Sequence, residues 1–153
     1  MVKTKYLAFS LLEVVVVIGI FSAITMFLFP LALNQLQGNR IDAEVKAIKS
    51  AISNQAENAF ANKNNVNYGI AFFPSHYILY SGETLATAES TDQYDFSPEM
   101  SISNINFTNL GSEINFTKGS FRPNTVGSFE IGSDGITYLI TINSEGLILF
   151  SKI

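Results

Sequence analysis

The side chains that could carry out catalysis or hold a metal are few in this chain of 153 residues. Its one histidine, His76, follows Pro74-Ser75 at the start of a predicted strand, where we expect a solvated or capping group rather than a base. Ser133 lies in Gly-Ser-Asp-Gly, where a hairpin turn is expected. The sequence has no cysteine, no Gly-x-Ser-x-Gly elbow, no phosphate-binding glycine loop and no His-Glu-x-x-His. We therefore predict neither an enzyme nor a cofactor site.

Carboxylates are concentrated in residues 82–99, which show little periodicity and are predicted to form a long surface loop. Oxygen ligands suit Ca²⁺, but their spacing here matches no calcium-loop motif, so no metal site is predicted. The net charge is −4, and without the first eight residues, which include Lys3 and Lys5, it would be −6. Because an acidic protein repels phosphate backbones, nucleic acid is not an expected partner.

One carboxylate stands apart from the others, Glu13 in the stretch AFSLLEVVVVIGIFSAI at residues 8–24. An ionised carboxylate at the centre of a membrane helix costs about 2.5–3.5 kcal/mol. Residues 14–33 carry no charge, and as a helix they would span about 30 Å, the thickness of a bilayer's hydrocarbon core. Lys3 and Lys5 precede this run, so we predict one membrane span with a cytoplasmic amino terminus and an exported remainder.

Three interpretations of this segment compete. It could be a simple membrane anchor, for which any apolar run of this length suffices. It could be a cleaved secretory signal peptide, although the run is long for one, Glu13 interrupts its start and no A-x-A site follows. The third interpretation explains the glutamate.

A short basic leader, the small residue Ala8, Phe-Ser-Leu-Leu-Glu at residues 9–13 and an apolar helix together resemble the type IV prepilin signature. The resemblance implies that a prepilin peptidase cleaves after Ala8 and methylates the new amine of Phe9. The helix would stay as an anchor and later enter the core of a filament. Glu13 would there meet the terminal amine of a neighbouring subunit, and this pairing would set the axial register.

The same resemblance assigns a helix-packing surface and shows one departure. Ala8 stands where the family usually has glycine, and alanine is still small, so slower cleavage is expected. Pro30 matches a position where pilin helices commonly carry a proline that kinks the helix; the alternative is a break at the end of the span. The predicted packing residues are Leu11, Leu12, Val14, Val15, Ile18 and Pro30.

Beyond Gly38-Asn39 the pattern becomes that of an amphipathic helix to about residue 62, with Gly38-Asn39 as its weak point. Its apolar positions recur every three or four residues and should pack on a sheet: Ile41, Val45, Ile48, Ile52, Ala56 and Ala59. The predicted domains are a leader at 1–8, a helix at 9–62 (transmembrane at 9–33, stem at 34–62) and a β-rich head at 63–153.

Many short strand candidates, joined by Gly and Ser turns, predict an antiparallel sheet system in the head. The tetrapeptide Ile-Asn-Phe-Thr occurs at 105–108 and 114–117 and is predicted to form a hairpin. The predicted strands are 69–73, 76–80, 101–108, 113–117, 128–131, 136–143 and 146–151.

A second resemblance covers the head. Tyr-Gly-Ile-Ala-Phe at 68–72 and Tyr-Ile-Leu-Tyr at 77–80 are similar to the heads of type II secretion pseudopilin H and FimT-like minor pilins, as are later segments around Phe116, Gly119, 127–131 and 141–146. This implies two small antiparallel sheets against the long helix. DNA-binding FimT-like members carry Gly-Arg-x-Arg on the final hairpin. Leu147 and Leu149 replace both arginines, so weak or no DNA binding is expected.

The sequence as a whole predicts an α+β fold, in which a long amino-terminal helix packs on an antiparallel head. The expected function is that of a structural subunit, a minor pilin or pseudopilin of a type IV pilus, type II secretion or related filament system. Expected partners are prepilin peptidase, other pilin or pseudopilin subunits and the inner-membrane assembly platform. The chain would reside in the cytoplasmic membrane and then in a periplasmic or cell-surface filament. The alternative is an unprocessed single-span protein whose exported head binds a ligand or partner.

Overall fold

A computed structural model describes residues 10–109, 111–133 and 135–153, with the side chains of residues 30–39 also outside the description. The chain divides into two compact units, Met1–Leu36 and Gln37–Ile153. In the first unit the described residues belong to an apolar helix. The second contains the amphipathic stem and all the strands, and it has its own hydrophobic core.

Helix α1 spans Leu11–Phe60, and its assignment continues without interruption through Gly38 and Asn39. It ends two residues before the predicted limit, after which Asn62, Asn64 and Asn65 adopt positive φ angles of 52°, 55° and 59°. Asparagine tolerates this left-handed conformation better than most residues, which is why an Asn-rich segment can reverse the chain here.

Eight strands form two four-stranded antiparallel sheets. The first sheet has the order β3-β2-β1-β5, and its strands are β1 Tyr68–Phe72, β2 His76–Ser81, β3 Ser90–Asp95 and β5 Glu113–Phe116. The second has the order β4-β6-β7-β8, and its strands are β4 Met100–Phe107, β6 Gly127–Ser133, β7 Ile136–Ile142 and β8 Ile148–Lys152. The α+β class predicted from the sequence is confirmed at this level.

The stem and both sheets share one core. Five of the six predicted stripe residues are buried, and Ala56 is partly buried against them. They meet Ile70 of the first sheet and Ile131 of the second, and the Phe72 and Phe129 rings, one from each sheet, lie 4.3 Å apart. Each fully buried side chain of this size stabilises the fold by about 1.5–3 kcal/mol. Burial of the stripe therefore holds the stem against the head.

Strand β3 corrects the prediction that residues 82–99 form a surface loop throughout. All six of its residues are exposed, so it shows none of the apolar alternation by which strands are recognised. It is held instead by its pairing with β2, by the stacking of Tyr94 on Tyr77 at 5.1 Å and by a 2.8 Å hydrogen bond between the Ser81 and Ser90 hydroxyls. An edge strand can form in this way without contributing to the core.

The predicted hairpin between the two Ile-Asn-Phe-Thr segments is wrong. The first segment lies in β4, which pairs with β6, and the second lies in β5, which pairs with β1 in the other sheet. The β1–β5 register places Tyr68 opposite Phe116 and Ile70 opposite Ile114, which buries apolar pairs that a β4–β5 hairpin would have separated. The connection after β4 therefore crosses between sheets.

Candidate assembly site

The described part of the apolar helix begins at a capped end. The backbone N–H of Glu13 donates to the Ser10 carbonyl at 3.0 Å and to the Ser10 hydroxyl at 3.2 Å. Serine commonly occupies this position because its oxygen satisfies an amide that has no partner within the helix. The cap places Glu13 in the first helical turn.

The stretch Leu11–Phe29 is long and apolar enough to cross a membrane, with a mean hydropathy of 2.5, and none of it is buried within the chain. A secretory signal sequence would satisfy the same criteria. The predicted packing residues Leu11, Leu12, Val14, Val15 and Ile18 are all among its exposed side chains. Such a surface needs an apolar environment from outside the chain.

Glu13 is the only charged residue in this stretch. A shallow groove beside its carboxylate is lined by Val14, Val17 and Ile18. The other polar side chains there satisfy themselves within the helix: the Ser22 hydroxyl donates to the Ile18 carbonyl at 2.8 Å, and Thr25 donates to the Phe21 carbonyl. The helix therefore presents one carboxylate on an otherwise apolar surface.

The remaining predicted processing and packing residues cannot be placed beside Glu13. Ala8 and Phe9 lie outside the described residues. Pro30 falls within the bounds of α1, but its side chain belongs to the part that is not described. The predicted cleavage site and the predicted kink therefore stay predictions.

The contacts of His76 and Ser133 are those of ordinary residues at a strand start and at a hairpin. The His76 ring stacks on Phe73 with centroids 4.6 Å apart, and its Nδ1 is 3.1 Å from the Ser75 hydroxyl. Ser133 ends β6 and pairs with Ile136 across a tight hairpin in which Gly135 has a φ of 82°. Within the described ranges no three His, Asp or Glu side chains are grouped so as to hold a metal ion.

A polar network inside the head was missed by the sequence reasoning. Gln55, which is 5% exposed, donates to the Gly69 carbonyl at 2.8 Å. The Tyr80 hydroxyl donates to the Glu113 carboxylate at 3.0 Å, and the same carboxylate oxygen accepts the Leu85 N–H at 3.0 Å. Burial raises the pKa of Tyr80, which keeps its hydroxyl protonated as the donor.

Asn115 completes this network by donating to the carbonyls of Gly82 and Glu83 at 3.0 and 3.1 Å. Together with Glu113 it fixes the segment that leads into β3. The available signal in the sequence was a polar residue within an apolar pattern, since Asn115 lies between two buried residues, Ile114 and Phe116. The sequence did not indicate what that residue would bond.

A second polar contact joins the stem to the second sheet. The Tyr138 hydroxyl on β7 donates to the Asp42 carboxylate at 2.6 Å, and this hydrogen bond raises the pKa of Tyr138. Lys49 lies over the ring of Phe150 on β8, 5.4 Å from its centroid. These contacts line a hollow between stem and sheet, whose remaining wall residues are Val45 and Lys46.

No protein-family model, curated protein or solved structure matches this chain.

Proposed function

We propose that this chain is a pilin-like structural subunit, a minor pilin or pseudopilin of a type IV pilus, type II secretion or related filament system. The observation that carries the proposal is the single carboxylate of Glu13 at the start of an apolar helix whose side chains find no burial within the chain. The resemblance of residues 9–13 to the prepilin signature supports the same assignment. The separate core of Gln37–Ile153 supports a folded head carried by that helix.

The role proposed for Glu13 follows from the cost of its charge. In a bundle of apolar helices an unpaired carboxylate is unfavourable, whereas one that meets a cation is compensated. The sequence between Ser10 and Asn39 contains no lysine or arginine, so neighbouring copies of this segment offer no basic side chain. The amine exposed by cleavage before Phe9 is a cation of suitable position, and its pairing with Glu13 would set the axial register.

The exported head is proposed to act without catalysis or a cofactor, through contacts with other subunits and the assembly platform. DNA is an unfavourable partner for it. Leu147 and Leu149 are each 55% exposed at the final hairpin, where basic side chains would be needed. The nearest arginine, Arg122, is held 2.7 Å from the Glu145 carboxylate on the same turn.

Processing is tested by the mass of the chain purified from cell membranes. The proposal expects loss of the first eight residues and one methyl group on the amine of Phe9. A tethered domain that binds a ligand through its head would instead retain Met1 to Ala8. An intact amino terminus in cells with an active prepilin peptidase would rule out the pilin assignment.

The role of Glu13 is tested by Glu13→Ala, with Glu57→Ala as the matched control, because Glu57 is an exposed carboxylate of the stem. Breaking a buried charge pair costs about 3–5 kcal/mol, so we expect incorporation into filaments to fall by roughly tenfold or more for Glu13→Ala. The measurement is the fraction of the subunit in sheared or sedimented filaments at equal membrane levels. Normal incorporation of Glu13→Ala would refute the register role.

A further inference from the structure

Two edge strands of the head carry charges of opposite sign. β8 ends the second sheet and terminates in Lys152; the stem beside it presents Lys46 and Lys49 around the hollow that Phe150 lines. Asp42 is the acidic group of that hollow, and it accepts the Tyr138 hydrogen bond. Around this hollow and the end of β8, three lysines accompany one carboxylate, so this end of the edge is positive. Glu57 and Glu145 lie at the other end of the strand, beside Ile148, where Glu145 pairs with Arg122.

β3 ends the first sheet and is acidic. Asp92 and Asp95 lie on the strand and Glu89 directly precedes it, all of them exposed. Lys63 is the one basic residue that lines the hollow next to Asp92. Tyr94, which is 46% exposed, adds an apolar surface to this edge. Lys118 shares a second hollow with Glu83 and Glu89, so four carboxylates accompany two lysines and this side of the head is negative.

We propose that β3 of one copy pairs in antiparallel fashion with β8 of a second copy, so that the second sheet of one head gains a fifth strand from its neighbour. The inference rests on the proposed function, because assembly is what would bring heads side by side. It goes further in specifying the surfaces that meet and in requiring at least two copies in contact.

Both edges have unused backbone groups for such a pairing. The Ile153 N–H bonds to Thr137 on β7, so by alternation residues 148, 150 and 152 direct their amides and carbonyls away from β7. The Phe96 N–H bonds to Ser75, so residues 91, 93 and 95 direct theirs away from β2. Within the described residues neither strand has a second neighbour.

The pairing that overlaps the two strands along their length sets Leu149 opposite Tyr94, because opposed residues of antiparallel strands run in opposite directions along the chain. Leu149 is 55% and Tyr94 is 46% exposed in the single copy, so both can lose water-exposed apolar surface. The same register sets Lys152 opposite Thr91, beside the oppositely charged Glu89 that directly precedes β3.

The charges select against the other edge pairings. Charged side chains on edge strands usually prevent association, and two β8 edges or two β3 edges would indeed repel one another. Only the pairing of a β3 edge with a β8 edge attracts.

A contact between two different surfaces of the same chain is heterologous, and it continues from copy to copy unless a ring closes. The head thereby has the polarity that a filament needs.

The test uses the full-length chain in detergent micelles, with ¹⁴N and ¹⁵N copies mixed and treated with a zero-length carbodiimide, which joins lysine amines to carboxylates. The expected product is a cross-link of mixed isotope composition between Lys152 and Glu89, identified by mass spectrometry. If Lys152 cross-links only within one copy, only to other carboxylates, or not at all, the inference is wrong.

Charge-swapped variants sharpen the result. Glu89→Lys should abolish the mixed-isotope cross-link at Lys152, since it removes the carboxylate and turns an attraction into a repulsion. Adding Lys152→Asp to that variant should restore the yield through a cross-link of reversed polarity. Glu99→Lys, at an exposed carboxylate outside both edge strands, makes the same change in net charge as Glu89→Lys and should leave the cross-link between Lys152 and Glu89 in place. Absence of rescue in the double variant would overturn the copy-to-copy pairing.

The two proposals fail separately. Loss of the first eight residues without any β3–β8 cross-link would leave the filament function standing and refute the edge pairing. In membranes of the producing cells, a Lys152 cross-link to the acidic strand of another protein in place of a second copy would likewise refute it. A retained Met1 would refute the filament function whatever the cross-links show.

Discussion

Gly127→Ala should be among the most damaging small substitutions in the head. Gly127 opens β6 opposite Phe107 with a φ of 150°, a conformation that side chains with a Cβ rarely adopt. A Cβ placed there would lie 2.8 Å from the Phe107 Cα and would overlap the carbonyl oxygen of Asn106. Both are backbone atoms of β4, so neither can rotate away. The strand pairing itself has to shift.

The cost has two parts. Holding alanine at this φ costs about 1–3 kcal/mol, and displacing close-packed backbone costs a further ~1–3 kcal/mol. For a unit of this size, 1 kcal/mol corresponds to roughly 4 °C in melting temperature. We therefore expect Gly127→Ala to lower the melting temperature of the head by about 8–24 °C.

Gly119→Ala separates the cost of the backbone conformation from the cost of the steric overlap. Gly119 has a φ of 81°, but a Cβ there would meet no heavy atom within 4 Å, so only the backbone term applies. Its expected effect is a loss of about 4–12 °C. Both variants can be compared by near-ultraviolet circular dichroism of the full-length chain in micelles. If Gly127→Ala melts within about 2 °C of Gly119→Ala, the close approach between β6 and β4 is not as described.

Two further predictions concern the core and its polar network. Ile48→Ala, at a stem position that is 0% exposed, should destabilise the head by about 2–5 kcal/mol, whereas the neighbouring exposed Ser50→Ala should stay within ~0.5 kcal/mol in the same melting assay. Burial raises the pKa of Tyr80 above that of the unfolded state, near 10, so the unfolded chain loses this proton first and stability falls as the pH rises through that value. Melting temperatures between about pH 9 and 11 should decline less steeply for Tyr80→Phe, and an unchanged slope would mean that Tyr80 is not the protected group.

What could be predicted from the sequence was whatever depends on burial. The stem stripe from Ile41 to Ala59 carries its buried face in its spacing, and the structure confirms it. β3 could not be found in this way, because an edge strand with six exposed residues buries nothing and therefore shows no period. Its position is stabilised by backbone hydrogen bonds with β2 and not by buried side chains.

Which strands pair with each other could not be predicted from the sequence, for a different reason. The two Ile-Asn-Phe-Thr segments have the same sequence and lie close together in the chain, so by sequence alone they could pair with each other as a hairpin. The choice is made by residues far away, since Ile114 and Phe116 are covered by Ile70 and Tyr68 on β1. The network of Gln55, Tyr80, Glu113 and Asn115 was hidden likewise, because its bonds join residues up to 35 positions apart.

The apolar residues of this chain have two separate destinations. Those of the core cluster in Gln37–Ile153 are covered within the head, whereas those of Leu11–Phe29 are not covered by any described part of the chain. A bilayer would cover the second group as well as other helices would, so apolarity alone cannot distinguish an anchor from a filament core. Glu13 can distinguish them, because lipid tails provide no partner for a carboxylate, whereas under the proposed function an adjacent processed subunit would provide an amine. The effect of Glu13→Ala on assembly, compared with its effect on membrane retention, is therefore the measurement on which the proposed function depends.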